Sequence, residues 1–166
     1  MIAIKEVNEC QIQGYKNLIL KGLIEDEDCF RIAPKDEHIE AFPTSDEQDS
    51  FTIGAFSNHD LIGVASFMRD GKNRIKLRHK GILFKIYVDS EHRQIGVATS
   101  LITEIINRVT LINDIEQINL TVIPTNKHAK KLYEKFGFKT FASEKKAVKW
   151  KGRYFNEDQM KLIIAK

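Results

Sequence analysis

The 166-residue sequence predicts a single domain of mixed α/β class, spanning residues 1–166, in which helices flank one sheet. Three observations support this prediction. Apolar runs of strand length recur along the chain, and three segments between them place apolar side chains at helical spacing. No internal repeat, low-complexity tract or linker divides the chain, and a protein of this length buries roughly two thirds of its unfolded surface.

The N-terminal half is predicted to form a strand, a helix and a strand pair. Residues 2–7 alternate between apolar and polar side chains, and residues 9–24 have near-helical apolar spacing. The polar segment that follows could hold a short helix at residues 36–42. Apolar runs at residues 51–56 and 61–68 flank a polar turn, which predicts a β-hairpin.

A further strand and an amphipathic helix come next. A turn signal at residues 70–73 precedes an apolar strand that ends at Val88. The helix is predicted because the apolar side chains after this strand cover one helical face. These side chains are Ile95, Ala98, Leu101, Ile102, Ile105, Ile106 and Val109.

The last third of the chain continues the alternation of strand and helix. Residues 118–123 are typical of a strand, and residues 127–136 have the apolar face of a helix. Gly137 follows where a left-handed C-terminal cap is expected. Three closing strands are predicted at residues 138–141, 147–150 and 159–164.

Composition limits the class of protein. No apolar run approaches a membrane span, and the first six residues lack the apolar core of a signal peptide, so we expect a cytoplasmic protein with no membrane partner. Cys10 and Cys29 have neither disulfide-framework nor zinc-site spacing, and no metal is expected. Cys10 is expected to pack, and the acidic neighbours of Cys29 disfavour a thiolate there.

Charge is distributed unevenly. The net charge is +3, but residues 24–50 carry −8 and the rest of the chain +11. Such an acidic segment is most often a solvated loop surface, although it can also attract a cation. Residues 69–80, here called the basic arm, contain no aromatic side chain for base stacking. Nucleic-acid binding is therefore disfavoured, and an acidic partner or a homodimer contact suits the arm better.

The most informative motif opens the helix after Val88. Residues 93–98 follow the pattern (Arg/Gln)-x-x-Gly-x-(Gly/Ala). A glycine and a small residue let backbone N–H groups approach a ligand, and a helix N-terminus adds partial positive charge. This combination suits a pyrophosphate, but taken alone it is also what tight strand–helix packing requires.

A second motif makes the first one stronger evidence for a ligand-binding site. Residues 126–138 read Asn-x-x-Ala-x-x-Leu-Tyr-x-x-x-Gly-Phe and follow another apolar strand, about thirty residues after the first motif. In this order and spacing, the two motifs resemble the GNAT superfamily of acetyl-CoA-dependent N-acetyltransferases. The resemblance implies a mixed, mostly antiparallel sheet of about six to seven strands, with acetyl-CoA as the co-substrate.

The resemblance also implies where the cofactor binds. The strand ending at Val88 should splay from the strand ending at Ile123, and the pantetheine arm should lie in the gap. Main-chain groups would hold the pyrophosphate, with Gly96 leaving room for it. The cofactor-binding residues implied are Ile86, Tyr87, Val88, Arg93, Gln94, Ile95, Gly96, Val97, Ala98, Thr99, Asn126, Ala129 and Tyr133.

Tyr133 is the implied catalytic residue. By resemblance it protonates the departing CoA thiolate, whereas periodicity alone makes it a core aromatic of its helix. An alkylamine must lose a proton before it attacks the thioester. Thr121 stands where some family members carry a glutamate base, and no acid lies within residues 80–88. Asp89, Glu91, His79, His92 and ordered water all remain open, and no base is assigned.

These observations favour direct acetyl transfer from acetyl-CoA to a primary amine, without an acyl-enzyme. The acidic segment predicts a cationic acceptor, either a small-molecule amine such as a polyamine or aminoglycoside, or a basic peptide terminus. Two other hypotheses remain open. One is a catalytically silent CoA-binding sensor, and the other is a nucleic-acid-binding protein that uses the basic arm.

Overall fold

The computed structural model describes residues 1–37, 42–45, 47–71 and 74–166. In these ranges the α-helices are α1 (Ile12–Glu25), α2 (Val97–Thr110) and α3 (Lys127–Lys135). The strands are β1 (Ile2–Glu6), β2 (Ser50–Ser57), β3 (Asp60–Arg69), β4 (Lys80–Val88), β5 (Gln117–Val122), β6 (Lys139–Trp150) and β7 (Arg153–Ile163). Residues 38–41 of the predicted 36–42 helix, and residues 72–73 of the predicted turn, lie outside the described residues.

Seven strands form one sheet in the order β1-β2-β3-β4-β5-β7-β6. Every neighbouring pair is antiparallel except β4 and β5. The mixed, mostly antiparallel sheet of a single α/β domain is therefore confirmed. The parallel pair is short, because only residues 80–82 of β4 pair with residues 117–119 of β5. Beyond Ile82 the two strands separate, which opens a gap in the middle of the sheet.

Two apolar clusters hold the helices against the sheet. The smaller cluster joins α1 to β3 and β4, and includes Tyr15, Ile19 and Tyr87. The larger cluster contains the buried face of α2 together with side chains of α3, among them Tyr133. One position of the predicted α2 face is wrong. Ile95 is 61% exposed, because the helix begins only at Val97, after the left-handed Gly96.

The C-terminal hairpin is longer than the sequence predicts. Segments 138–141 and 147–150 belong to one strand, β6, and β7 begins at Arg153 rather than near residue 159. β6 lies at the edge of the sheet and is largely exposed, so its polar middle part gives no apolar signal. Cys10 is also exposed, which overturns the expectation that it packs.

Candidate active site

The free edge of β4 is the first component of the site. The Asp89 N–H donates to the Ile62 carbonyl of β3 at 2.9 Å. Successive N–H groups of a strand point to opposite edges, so the Val88 N–H points into the gap. Earlier in β4, Lys85 and Ile86 together oppose one residue of β3, and Lys85 has a φ of +47°. This β-bulge bends β4 at the middle of its free edge.

The start of α2 forms a cluster of free amides at the open end of the gap. Gln94 and Gly96 both have left-handed φ values, of +65° and +88°. No side chain caps the helix, and among the described residues no backbone N–H of residues 94–99 donates a hydrogen bond within the protein. Convergent, unpaired N–H groups at a helix N-terminus form a binding site for an anion such as a phosphate.

Arg93 connects this loop to the end of α1. Its Nε donates to the Val88 carbonyl at 3.1 Å, and its guanidinium pairs with Asp26 and lies 5.5 Å from the centre of the Tyr87 ring. The positive charge is therefore already balanced by a carboxylate. A phosphate that used Arg93 would have to share it with Asp26.

Asn126 and Tyr133 lie at opposite ends of α3. The Asn126 side chain caps the helix by accepting the Ala129 N–H at 3.2 Å, as the sequence predicts. Tyr133 is only 7% exposed and packs edge-on against Phe138. Its hydroxyl makes no hydrogen bond within the part of the chain that the structure describes. Burial, with a smaller contribution from Cys29, raises the pKa of this phenol above its ordinary value.

The acidic segment is largely paired within the protein. Glu27 accepts from Trp150 Nε1 at 3.1 Å and pairs with Lys151 at 2.7 Å. Asp28 pairs with Arg153 at 2.7 Å. These contacts fasten the end of α1 to the β6–β7 turn, more than a hundred positions further along the chain. The charge left to attract a cation is therefore smaller than the −8 of residues 24–50 indicates.

Two buried carboxylates pair with basic side chains from other segments of the chain. Glu37, which follows α1, approaches Lys85 at 3.4 Å next to the bulge of β4. Glu157 of β7 is 2% exposed and forms an ion pair with Arg31, whose Nε lies 3.0 Å from its Oε2. Sequence inspection missed both carboxylates because neither belongs to a motif. Their partners come from segments that only the fold brings near.

The described residues of the basic arm lie at the opposite end of β4. Arg69 is 5% exposed, and its guanidinium binds Asp49 at 2.6 Å and Asp114 at 2.8 Å. A cleft of about 370 Å³ beside this cluster is lined by the same residues and by Arg78. Most of the length of β4 separates this cleft from the open end of the gap, so it belongs to a different part of the surface.

None of the helices in the described ranges has the length and apolar character needed to cross a bilayer. Within the same ranges, no three potential ligand side chains of His, Cys, Asp or Glu come together as they would at a metal. The part of the candidate site that the backbone defines consists of the free amides of residues 94–99 and the open edge of β4.

Known proteins share this architecture. Residues 20–138 match the model of the acetyltransferase (GNAT) family. An acetyltransferase of the GNAT family from Streptococcus pneumoniae is 22% identical, with a TM-score of 0.81 over 99% of this chain and 100% of its own. An N-acetyltransferase from Staphylococcus aureus Mu50 is 17% identical, with a TM-score of 0.86 over 99% of both chains.

A third solved structure was determined with a ligand. The protein yncA from Salmonella typhimurium, solved with its cofactor acetyl-CoA, is 13% identical, with a TM-score of 0.82 over 100% of this chain and 95% of its own. At such identities these structures establish the shared fold alone. No curated protein matches the sequence.

Proposed function

The chain belongs to the acetyltransferase (GNAT) family, and from that premise we propose that it moves an acetyl group from acetyl-CoA to a primary amine. The observation that carries the proposal is the set of unpaired amides at residues 94–99, at the mouth of the gap between β4 and β5. A pyrophosphate bound at these amides would leave the pantetheine arm of CoA free to enter the gap. One place would thus serve both the pyrophosphate and the pantetheine arm of a CoA thioester.

The free edge of β4 supports the proposal that the pantetheine arm lies in the gap. An extended arm in the gap would pair with the main chain of residues 86–88, much as an added strand does. The Val88 N–H, which points into the gap, would stabilise negative charge on a carbonyl oxygen there. Arg93 would support the pyrophosphate from the loop, and Asn126 would orient the start of α3 beside the arm.

Tyr133 fits the role of general acid. A tyrosine phenol is protonated at neutral pH, so it could donate that proton to the leaving thiolate. Proximity of the two substrates and the amide at Val88 would supply most of the remaining acceleration. The residues of the site offer no activated nucleophile, since burial, Asp26 and Asp28 raise the pKa of the Cys29 thiol.

The acceptor is proposed more narrowly than an amine in general. A small amine or a basic peptide terminus would enter past the segment that follows α1, where Phe30 packs against Tyr87 of β4. A cationic acceptor remains our proposal, although the pairs made by Asp26, Glu27 and Asp28 reduce the attraction. Neutral or anionic amines should be poorer acceptors.

Release of free CoA thiol tests the proposal. The purified protein is incubated with acetyl-CoA and a panel of polyamines, aminoglycosides, amino acids and basic peptides. Amine-dependent release, with acetylated amine detected by mass spectrometry, is the expected result. Acetyl-CoA binding without release on any acceptor would favour a silent CoA-binding module, and absence of binding would refute the proposed cofactor.

A further inference from the structure

Glu157 is a buried carboxylate at the edge of the proposed site. The register of β5 and β7 pairs Val122 with Asp158, so Glu157 lies just beyond the last pair, where β5 leaves the sheet beside the gap. Its side chain is directed away from that of Asp158, which binds Lys130 of α3. Glu157 instead faces the segment that follows α1, where it meets Arg31.

The same segment also contacts β4. The ring of Phe30 lies 6.1 Å from the ring of Tyr87, and Arg31, the next residue, pairs with Glu157 at 3.0 Å. Residues 30 and 31 therefore bridge the end of β4 and the start of β7, where β5 leaves the sheet. This position places Glu157 beside the gap.

Glu157 has an exposed side chain as its charge partner. Among the described residues its ion pair is with Arg31, whose Nε lies 3.0 Å from Oε2 of Glu157. Arg31 itself is 63% exposed, so it is a movable and solvated partner. Burying a carboxylate with one partial partner is costly for stability, which makes a functional reason for its position worth testing.

We propose that Glu157 is the base that removes a proton from the acceptor ammonium. The inference rests on the proposed function and assigns a residue to the step that the sequence left unassigned. Glu157 accepts one ammonium proton, and the neutral nitrogen then forms a bond to the acetyl carbon while the carbon–sulfur bond breaks. Tyr133 donates its proton to the sulfur and regains one from the nitrogen. Glu157 releases its proton to solvent.

The electrostatic surroundings suit this role. Burial raises the pKa of Glu157, Glu144 on the neighbouring strand raises it further, and Arg31 lowers it. A carboxylate whose pKa lies above the ordinary glutamate value is a better proton acceptor near neutral pH. Glu144 and Arg31 are the charged groups that act on it, and each can be changed separately.

The test compares Glu157→Gln with Glu116→Gln, which removes one exposed carboxylate just before β5, at the far end of that strand from Glu157. With an alkylamine at pH 7, Glu157→Gln should lower kcat/KM by about 100-fold or more. The loss should shrink towards pH 10, and for a weakly basic amine that is already neutral at pH 7, because these acceptors need no base. Glu116→Gln should stay within about threefold. Both variants should keep the acetyl-CoA Kd of the wild type, and Glu157→Gln should not lower the Tm, because it removes a buried charge.

A readout independent of turnover complements the kinetics. The carboxyl carbon of Glu157, observed by NMR in the protein without substrates, should titrate above the ordinary glutamate range of about 4.3. Arg31→Met should move this titration, and the acidic limb of the pH–rate profile, to higher pH.

The outcomes separate the two proposals. Wild-type protein that transfers acetyl to no amine refutes the proposed function and this inference with it. If the wild type is active, an unchanged pH profile in Glu157→Gln overturns the inference alone. So does an equal loss with strongly and weakly basic amines, which would mark a structural role. If the variant does not fold, a Glu157 carboxyl that titrates at or below the ordinary range in the wild type overturns the inference as well.

Discussion

Replacing Gly96 by alanine isolates the contribution of the α2 N-terminus to cofactor binding. Gly96 has a φ of +88°, and a Cβ placed on it meets no atom of the protein within 4 Å. The methyl group thus enters the space in front of the free amides, which is where the pyrophosphate is proposed to lie. The substitution perturbs the ligand without a steric conflict inside the protein.

The cost to the fold follows from the backbone alone. An alanine in the left-handed region loses about 1–2 kcal/mol relative to glycine. Part of this is offset by about 0.4–1 kcal/mol, because alanine has less freedom in the unfolded chain. The net destabilisation of about 1 kcal/mol should lower the Tm by about 2–4 °C in a domain of this size.

Gly152 supplies a matched control for this backbone cost. It lies in the β6–β7 turn with a φ of +78°, and an added Cβ there also meets nothing within 4 Å. Gly96→Ala and Gly152→Ala should therefore lose similar stability in thermal unfolding. Only Gly96→Ala should weaken acetyl-CoA binding, by at least about tenfold, or 1.4 kcal/mol, in isothermal titration calorimetry. Equal acetyl-CoA affinities for the two variants would refute the assignment of the phosphate site.

Three further predictions concern single residues. Tyr133→Phe should keep acetyl-CoA binding and lower kcat by about 100-fold, because only the donated proton is lost; full turnover in a CoA-release assay would exclude the acid role. Gly81→Ala should destabilise the protein by about 3 kcal/mol in urea unfolding, since the new Cβ would lie 2.1 Å from the buried Phe67 ring; an unchanged midpoint would contradict the close packing. The hydrogen bond from Lys130, with one from a serine, lowers the pKa of Asp158. The ion pair between Asp158 and Lys130 therefore stabilises the folded state fully above about pH 4, and this stabilisation is lost as the pH falls through the lowered pKa of Asp158. Asp158→Asn should flatten this part of the Tm–pH profile, and an unaltered profile would show that the pair contributes nothing.

Local features of the fold were predictable because they depend on neighbouring residues. Asn58 and His59 adopt the left-handed conformations that the polar turn between β2 and β3 requires. Gly137 has a φ of +92°, as a C-terminal cap predicts, and Asn126 caps α3. The α2 boundary was misplaced at Ile95, since apolar spacing alone cannot show where a glycine turn ends and helical dihedrals begin.

The candidate site was predictable only in its main-chain part. Both motifs mark positions where a ligand would need free backbone amides or a capped helix. These requirements place glycine and asparagine at a fixed spacing in the sequence. The charged part of the candidate site was not predictable. Glu157 and Glu37 carry no local signal, because a lone glutamate in a strand or loop is usually solvated.

The sequence by itself determined the order of elements, the single domain and the loop at the start of α2, since hydrophobic period and turn chemistry act over a few residues. Tertiary structure alone decided which charges meet. It paired Glu27 with Lys151, and it brought Arg31 to Glu157 beside the gap. The physical reason is that an ion pair depends on distance in space, and segments more than a hundred residues apart become neighbours only when the sheet is assembled.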